Sequence, residues 1–246
     1  MEVRVTFRGK VAVVTGGSRG IGRAAALAMA DAGAHVVVAS RKIADLEKVA
    51  AEISAKGVKG KAIATHVGKT DECRALIDQT MKEFGRIDIL FNNAGTNPYY
   101  GPLMDQDETT YDIIMNVNTK SIFVLSRLAA KIMKEQGGGS IINTSSIGGI
   151  RAGDLGVYCT SKAAAVMLTQ VMAKEWGQYN IRVNAIAPGI IKTRLSEALW
   201  KDPKVNARAV SQIPTLRLGE PQELGGLVVF LASDAGSYIT GETIVV

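Results

Sequence analysis

A five-residue apolar run that ends in a glycine cluster leaves residues 11–22 few ways to fold. The run Val-Ala-Val-Val-Thr at 11–15 passes straight into Gly16-Gly17-Ser18-Arg19-Gly20-Ile21-Gly22. A short continuous apolar run bounded by glycine suits a strand buried on both faces. Glycines after it let the backbone turn sharply, pack a helix against the strand and approach a phosphate closely. The helix that follows then offers free N–H groups and a partial positive charge to an anion. An alanine-rich stretch, 21–32, reads as that helix and is stopped by Gly33. This is the context in which a glycine cluster signals dinucleotide binding instead of a mere tight turn.

The same alternation continues. Strands are expected at 35–40, 61–67, 87–91, 140–144 and 181–187. Helices are expected at 44–55 and 70–84, ended by Gly57 and Gly85, and at 223–233. Two longer helical patterns cover 111–135 and 157–179. Strands alternating with helices imply crossover connections, so the expected fold is α/β: a doubly wound, parallel Rossmann-type sheet of about seven strands with helices on both faces. No repeat or linker interrupts the pattern, so residues 1–246 are expected to form one dinucleotide-binding and catalytic domain. Residues 188–219 hold three of the six prolines and no clear sheet element, which marks a substrate-binding loop or lid.

Composition removes other classes. With 47% hydrophobic residues the chain is too apolar for disorder, and two cysteines make no disulfide scaffold or zinc site. No metal is expected. No apolar run approaches the length of a membrane span, and the charged start of the chain lacks the apolar core of a secretory leader, so a cytoplasmic protein is expected. The net charge of +6 comes from 29 basic and 23 acidic residues spread along the chain; the densest basic group is Lys56, Lys59 and Lys61. That distribution does not resemble a nucleic-acid surface and is read mainly as solvated charge.

Two arginines are the exception. An acidic residue about 20 positions past the glycine turn would bind the ribose hydroxyls of NAD, but Ser40-Arg41 stands there. An arginine fork suits a 2′-phosphate, and Arg19 within the turn adds a second cation. The expected cofactor is NADP(H), with NAD(H) as the alternative.

Four motifs in order, TGxxxGxG at 15–22, Asn92-Asn93-Ala94-Gly95, Tyr158-Cys-Thr-Ser-Lys162 and Pro188-Gly189, resemble the short-chain dehydrogenase/reductase family over essentially the whole chain. Tyr158 and Lys162 are four apart and share a helix face. A phenol titrates near 10, and a neighbouring ammonium is expected to lower that value so that the phenol can exchange a proton with a substrate oxygen. The resemblance implies that Lys162 also holds the nicotinamide ribose and that a serine polarises the substrate oxygen. Counted from the strand that serine is Ser146; counted back from Tyr158 the usual thirteen falls on Ser145. Strand register favours Ser146. Asn118, in preference to Asn116, matches the family asparagine that supports a water-mediated proton path to the lysine.

The resemblance further implies that Gly16, Ser18, Arg19, Gly20, Ile21 and Gly22 surround the phosphates and that Asn92, Ala94 and Gly95 line the adenosine ribose. Pro188, Gly189, Ile191 and Thr193 are expected at the nicotinamide end. His66-Val67 replaces the family Asp-Val, leaving adenine to the Val67 backbone, with His66 read as an ordinary packed or exposed residue. The chain stops at Ile244-Val245-Val246, where the family pattern runs on into Asp-Gly-Gly. The implied substrate is a small carbonyl or alcohol: a ketone, aldehyde or retinal-like compound. A 3-oxoacyl-[acyl-carrier-protein] reductase and a non-catalytic NADP(H)-binding sensor or scaffold are the alternatives. Tyr99 and Tyr100 are candidate pocket walls, and Leu195, Leu199 and Trp200 candidate lid residues. The apolar excess of the two long helices implies a homo-oligomer, with a tetramer expected.

Overall fold

The structure, a computed structural model, describes residues 5–153 and 155–246. Residues 1–4, part of the charged start of the chain, lie outside the described residues, as does residue 154. Seven parallel strands form one sheet in the order β3-β2-β1-β4-β5-β6-β7. They are β1 (Val11–Thr15), β2 (His35–Ser40), β3 (Gly60–Ala64), β4 (Ile89–Asn92), β5 (Gly139–Thr144), β6 (Ile181–Ala187) and β7 (Thr243–Val245). The helices are α1 (Gly20–Asp31), α2 (Ile43–Ser54), α3 (Thr70–Phe84), α4 (Glu108–Met115), α5 (Ser121–Glu135), α6 (Gly156–Trp176), α7 (Pro203–Val210) and α8 (Pro221–Ala232).

Strands β1 and β4 bury every residue, and the alternation along the central strands sorts side chains to two cores. Val14, Val36 and Val38 face α1, α2 and α8, whereas Val13, Val37 and Ile141 face α3, α5 and α6. This follows from the period of two along a strand, so a register slip of one residue would exchange the two cores. Strand order reverses between β1 and β4, which opens a crevice at the C-terminal edge, the usual ligand position in such sheets.

Several expected boundaries move. The third strand ends at Ala64 instead of 67, and the fourth begins at Ile89 instead of 87. The last long helix starts at Pro221, because the Glu223 carboxylate reaches back 2.8 Å to the Glu220 N–H and closes the first turn. The expected helix at 111–135 is two helices joined by a π turn, Asn116–Lys120. Two side chains help hold the wide turn open: Asn118 bonds a neighbouring loop, and the Ser121 hydroxyl donates to the Val117 carbonyl at 2.6 Å. The segment 188–219 also contains more order than expected. Ile191 pairs with Gly219 as an isolated parallel bridge, and Asp202 caps α7 by accepting from the Lys204 and Val205 N–H groups at 2.8 and 3.1 Å.

Candidate active site

The turn after β1 is shaped by contact as much as by conformation. Gly16 has φ of +65°, and a Cβ there would lie 2.8 Å from the Asn93 amide nitrogen; a Cβ on Gly22 would collide with the Gly16 carbonyl oxygen. Arg19 caps α1 in an extended conformation with no side-chain cap bond, and the first helical turn carries no acidic residue. Its orphan N–H groups therefore point at the crevice. Thr15 and Asn93 lock this turn to the end of β4. The Thr15 hydroxyl accepts from the N–H groups of Asn93 and Ala94 at 3.0 and 3.1 Å, and the Asn93 amide donates to the Thr15 carbonyl at 3.0 Å. The motif reading quoted both residues without giving either a role. The cue was physical: backbone donors at a buried strand end need partners.

Asn92 turns its side chain away from the crevice. Its amide donates to Ser126 and to the Asn143 oxygen, both at 2.9 Å, and Asn143 donates to Thr169. This buried polar chain ties β4 and β5 to α5 and α6, so Asn92 reaches the crevice only through its backbone.

Tyr158 and Lys162 lie in the first two turns of α6. Both are buried, and the Lys162 ammonium sits 5.7 Å from the centre of the Tyr158 ring and donates to the Thr144 carbonyl at 2.8 Å. Burial pushes the Tyr158 phenol above its ordinary value; the nearby side chain of Ser146 works the other way. Burial likewise pulls Lys162 down to about 8. The expected lowering of the phenol is thus reversed here, because desolvation penalises phenolate and ammonium alike. The two serines have different surroundings. Ser145 is buried and donates to the Lys162 carbonyl at 2.8 Å, holding β5 to α6. Ser146 faces Tyr158, and its oxygen accepts from the Gly148 N–H at 3.1 Å.

The π turn grips α6 from behind. Asn118 is fully buried; its oxygen accepts from the Thr96 N–H at 2.8 Å, and its nitrogen donates to the Thr96 carbonyl and the Ser161 hydroxyl at 2.9 and 3.0 Å. Ser161 in turn donates to the Tyr158 carbonyl at 2.7 Å, and Thr119 donates to the Ser161 carbonyl. Asn116, by contrast, borders a groove between the two long helices on the outer surface. Ser161 had no place in the motif reading, although it stands between the tyrosine and the lysine.

The remaining expected residues gather along the same edge. Arg19 and Arg41 are exposed, and among the described residues neither has an ion-pair partner. Val67 follows β3, and its carbonyl accepts from the Cys73 thiol at 3.1 Å. The His66 ring accepts from the Gly68 N–H, which makes it a local turn cap. Pro188 accepts from the Ile147 N–H at 3.1 Å, Ile191 packs into the core beneath, and a Cβ on Gly20 would touch the Thr193 methyl at 3.3 Å. A nicotinamide dinucleotide fits these residues: the glycine turn leaves room for phosphates, and glycine at 95 leaves space where a Cβ would sit 3.4 Å from the Lys162 ammonium. Among the described residues no helix is long and apolar enough to cross a membrane.

Comparison with known proteins matches this arrangement. A family model described as Enoyl-(Acyl carrier protein) reductase matches residues 16–246. The rabbit (Oryctolagus cuniculus) dehydrogenase/reductase SDR family member 4 is 41% identical over 238 residues, covering 96% of this chain and 92% of that protein. The crystal structure of a short-chain type dehydrogenase/reductase from Mycobacterium marinum is 41% identical, with a TM-score of 0.94 over 99% of this chain and 96% of the other. That of NAD+-bound xylitol dehydrogenase is 31% identical, with a TM-score of 0.91 over 98% of each chain.

Proposed function

The chain belongs to the short-chain dehydrogenase/reductase family of oxidoreductases, and on that premise we propose that it reduces a ketone or aldehyde, or oxidises the matching alcohol, with NADP(H). The observation that carries this reading is the buried Tyr158–Lys162 pair, with the ammonium 5.7 Å from the centre of the phenol ring, at the same sheet edge as the glycine turn.

In this reading a bound nicotinamide supplies or accepts the hydride. Ser146 and Tyr158 both direct hydroxyls at the substrate oxygen, which fixes the carbonyl and stabilises charge developing on it. Tyr158 donates its proton to that oxygen during reduction and takes it back during oxidation. Lys162 holds the nicotinamide ribose and favours the phenolate left behind, an interaction strongest while its own proton is retained, below about pH 8. Asn118 has both ends of its side chain committed, so it acts by fixing the π turn, and a water relay to Lys162 would run over its backbone. Gly16, Ser18, Gly20, Ile21 and Gly22 would meet the phosphates; Val67 adenine; Asn92, Ala94 and Gly95 the adenosine ribose; Pro188, Gly189, Ile191 and Thr193 the nicotinamide end. The cofactor preference rests on Arg19 and Arg41, two exposed cations whose forked guanidinium donors suit a 2′-phosphate.

The outer groove between the long helices exposes Phe123, Met167 and Val171 beside Met115 and Leu168. An apolar strip of this kind supports pairing of two copies across a dyad, and a tetramer is the expected assembly. A second reading, reduction of a 3-oxoacyl group on an acyl carrier protein, is favoured by the charge of residues 188–219, which hold six basic and two acidic side chains. NADPH oxidation measured against free ketones, aldehydes and 3-oxoacyl thioesters distinguishes the two. Cofactor binding without turnover of any of them would point to a sensor.

A further inference from the structure

Of the two tyrosines that follow β4, only one reaches across the cleft. Tyr99 spends its hydroxyl on its own loop, donating to the Pro102 carbonyl at 2.9 Å. Tyr100 donates to the Leu195 carbonyl at 3.0 Å, a partner 95 residues away in the segment that follows β6. That segment is tightly knotted: Ser196 donates to the Ile191 carbonyl, Thr193 donates its N–H to the Ser196 hydroxyl at 3.1 Å, and the Trp200 indole donates to the Thr193 carbonyl at 3.1 Å. Thr193 lies against the glycine turn. The Tyr100 bond therefore fastens the knot to the opposite bank of the cleft. Its phenol also lies near enough to Tyr158 for the two to interact electrostatically.

The Tyr100 side chain is half exposed although its hydroxyl is fixed. An aromatic ring anchored at one end and open along its faces is a platform for another flat group, since offset stacking needs a ring held in one orientation. Its surroundings agree in character. Leu195, which the Tyr100 hydroxyl contacts, and Ile147 and Ile150, which follow Ser146 in the chain, all keep more than two-fifths of their surface exposed.

We propose that Tyr100 is a specificity-determining residue: its ring walls the substrate cleft and selects carbonyls bearing a flat apolar substituent, while its hydroxyl fastens the 188–200 segment at Leu195. The substrate half rests on the carbonyl reading above; the fastening does not. The test uses the full chain at saturating NADPH, with a phenyl ketone and 2-butanone as substrates. Tyr100→Ala is expected to raise KM for the phenyl ketone about tenfold more than KM for 2-butanone, since loss of the fastening is common to both substrates. Tyr100→Phe keeps the ring, so its phenyl-ketone KM stays within about threefold, while hydrogen exchange of the 193–200 amides speeds up about tenfold or more. Equal effects of Tyr100→Ala on both ketones, or none on either, would overturn the role in specificity. Unchanged exchange in Tyr100→Phe would overturn the fastening. A wild-type chain that binds NADPH yet reduces neither ketone would fail the carbonyl reading, and the exchange measurement would still decide the fastening.

Discussion

Two stretches meet at the mouth of the crevice and differ in how closely they are packed. The turn at 15–22 leaves no room for side chains: a Cβ on Gly16 or Gly22 would collide with Asn93 or the Gly16 carbonyl, and the Asn93 and Thr15 side chains clamp it to β4. The segment 188–219 buries only Pro188 and Ile191 and is held by side-chain caps, one isolated bridge and the Tyr100 bond. The first is a fixed seat in which any added atom is felt. The second is a surface cover held by fewer ties, as is usual for loops over a rigid scaffold. It carries six basic and two acidic side chains, with Lys201 and Arg217 paired to Glu197 and Glu223.

Substitutions sharpen this contrast. Gly22→Ala puts a methyl group into the Gly16 carbonyl and should cost several kcal/mol, read as a fall in the urea midpoint together with lost cofactor binding. Ser146→Ala should lower kcat about 10²–10³-fold with little change in stability. Its neighbour should do the reverse: Ser145→Ala keeps turnover and loses about 1 kcal/mol, the hydrogen bond to the Lys162 carbonyl. Turnover that follows Ser145 instead would exchange the two roles.

Lys162 yields a pH signature. Its value is about 8 in the fold against an ordinary 10.5, so the unfolded chain binds more protons between those limits. Stability should therefore rise from about pH 8 toward 10.5 by up to about 3 kcal/mol from this residue alone. Comparing urea midpoints of wild type and Lys162→Met across that range isolates it, because other groups titrating there cancel in the difference. A parallel pair of curves would mean the lysine is not buried as charge.

Arg41→Ala should reduce the NADPH-over-NADH ratio of kcat/KM about tenfold or more, the worth of one charged hydrogen-bonding group. An unchanged ratio would break the assignment to a 2′-phosphate. At the far end of the scale, Leu216 holds a left-handed φ of +52° on the exposed cover. Leu216→Gly should be neutral or stabilising by about 1 kcal/mol at most in the same urea measurement. A large loss there would show that the cover is as constrained as the glycine turn.

Legibility in sequence follows the same division. Strands β1, β2 and β6 have the expected bounds because apolar runs and glycine stops are local signals. The Tyr158–Lys162 spacing shows equally well, being a property of one helix face. The π turn was not legible, because its cause is a bond from Asn118 to a loop 22 residues away. The raised Tyr158 value was not legible either, since burial depends on what covers a side chain. Helix α7 was available, with Asp202 and Pro203 as cap and first residue, but the three prolines of its segment masked it.

The central claim is that Tyr158 is the proton donor of an NADP(H)-linked carbonyl reaction. The direct measurement pairs NADPH binding, followed by fluorescence titration, with NADPH oxidation by a ketone in wild type and Tyr158→Phe. Matching Kd values and a fall in kcat of about 10²–10⁴-fold in the variant are expected. Equal turnover by both proteins would contradict it.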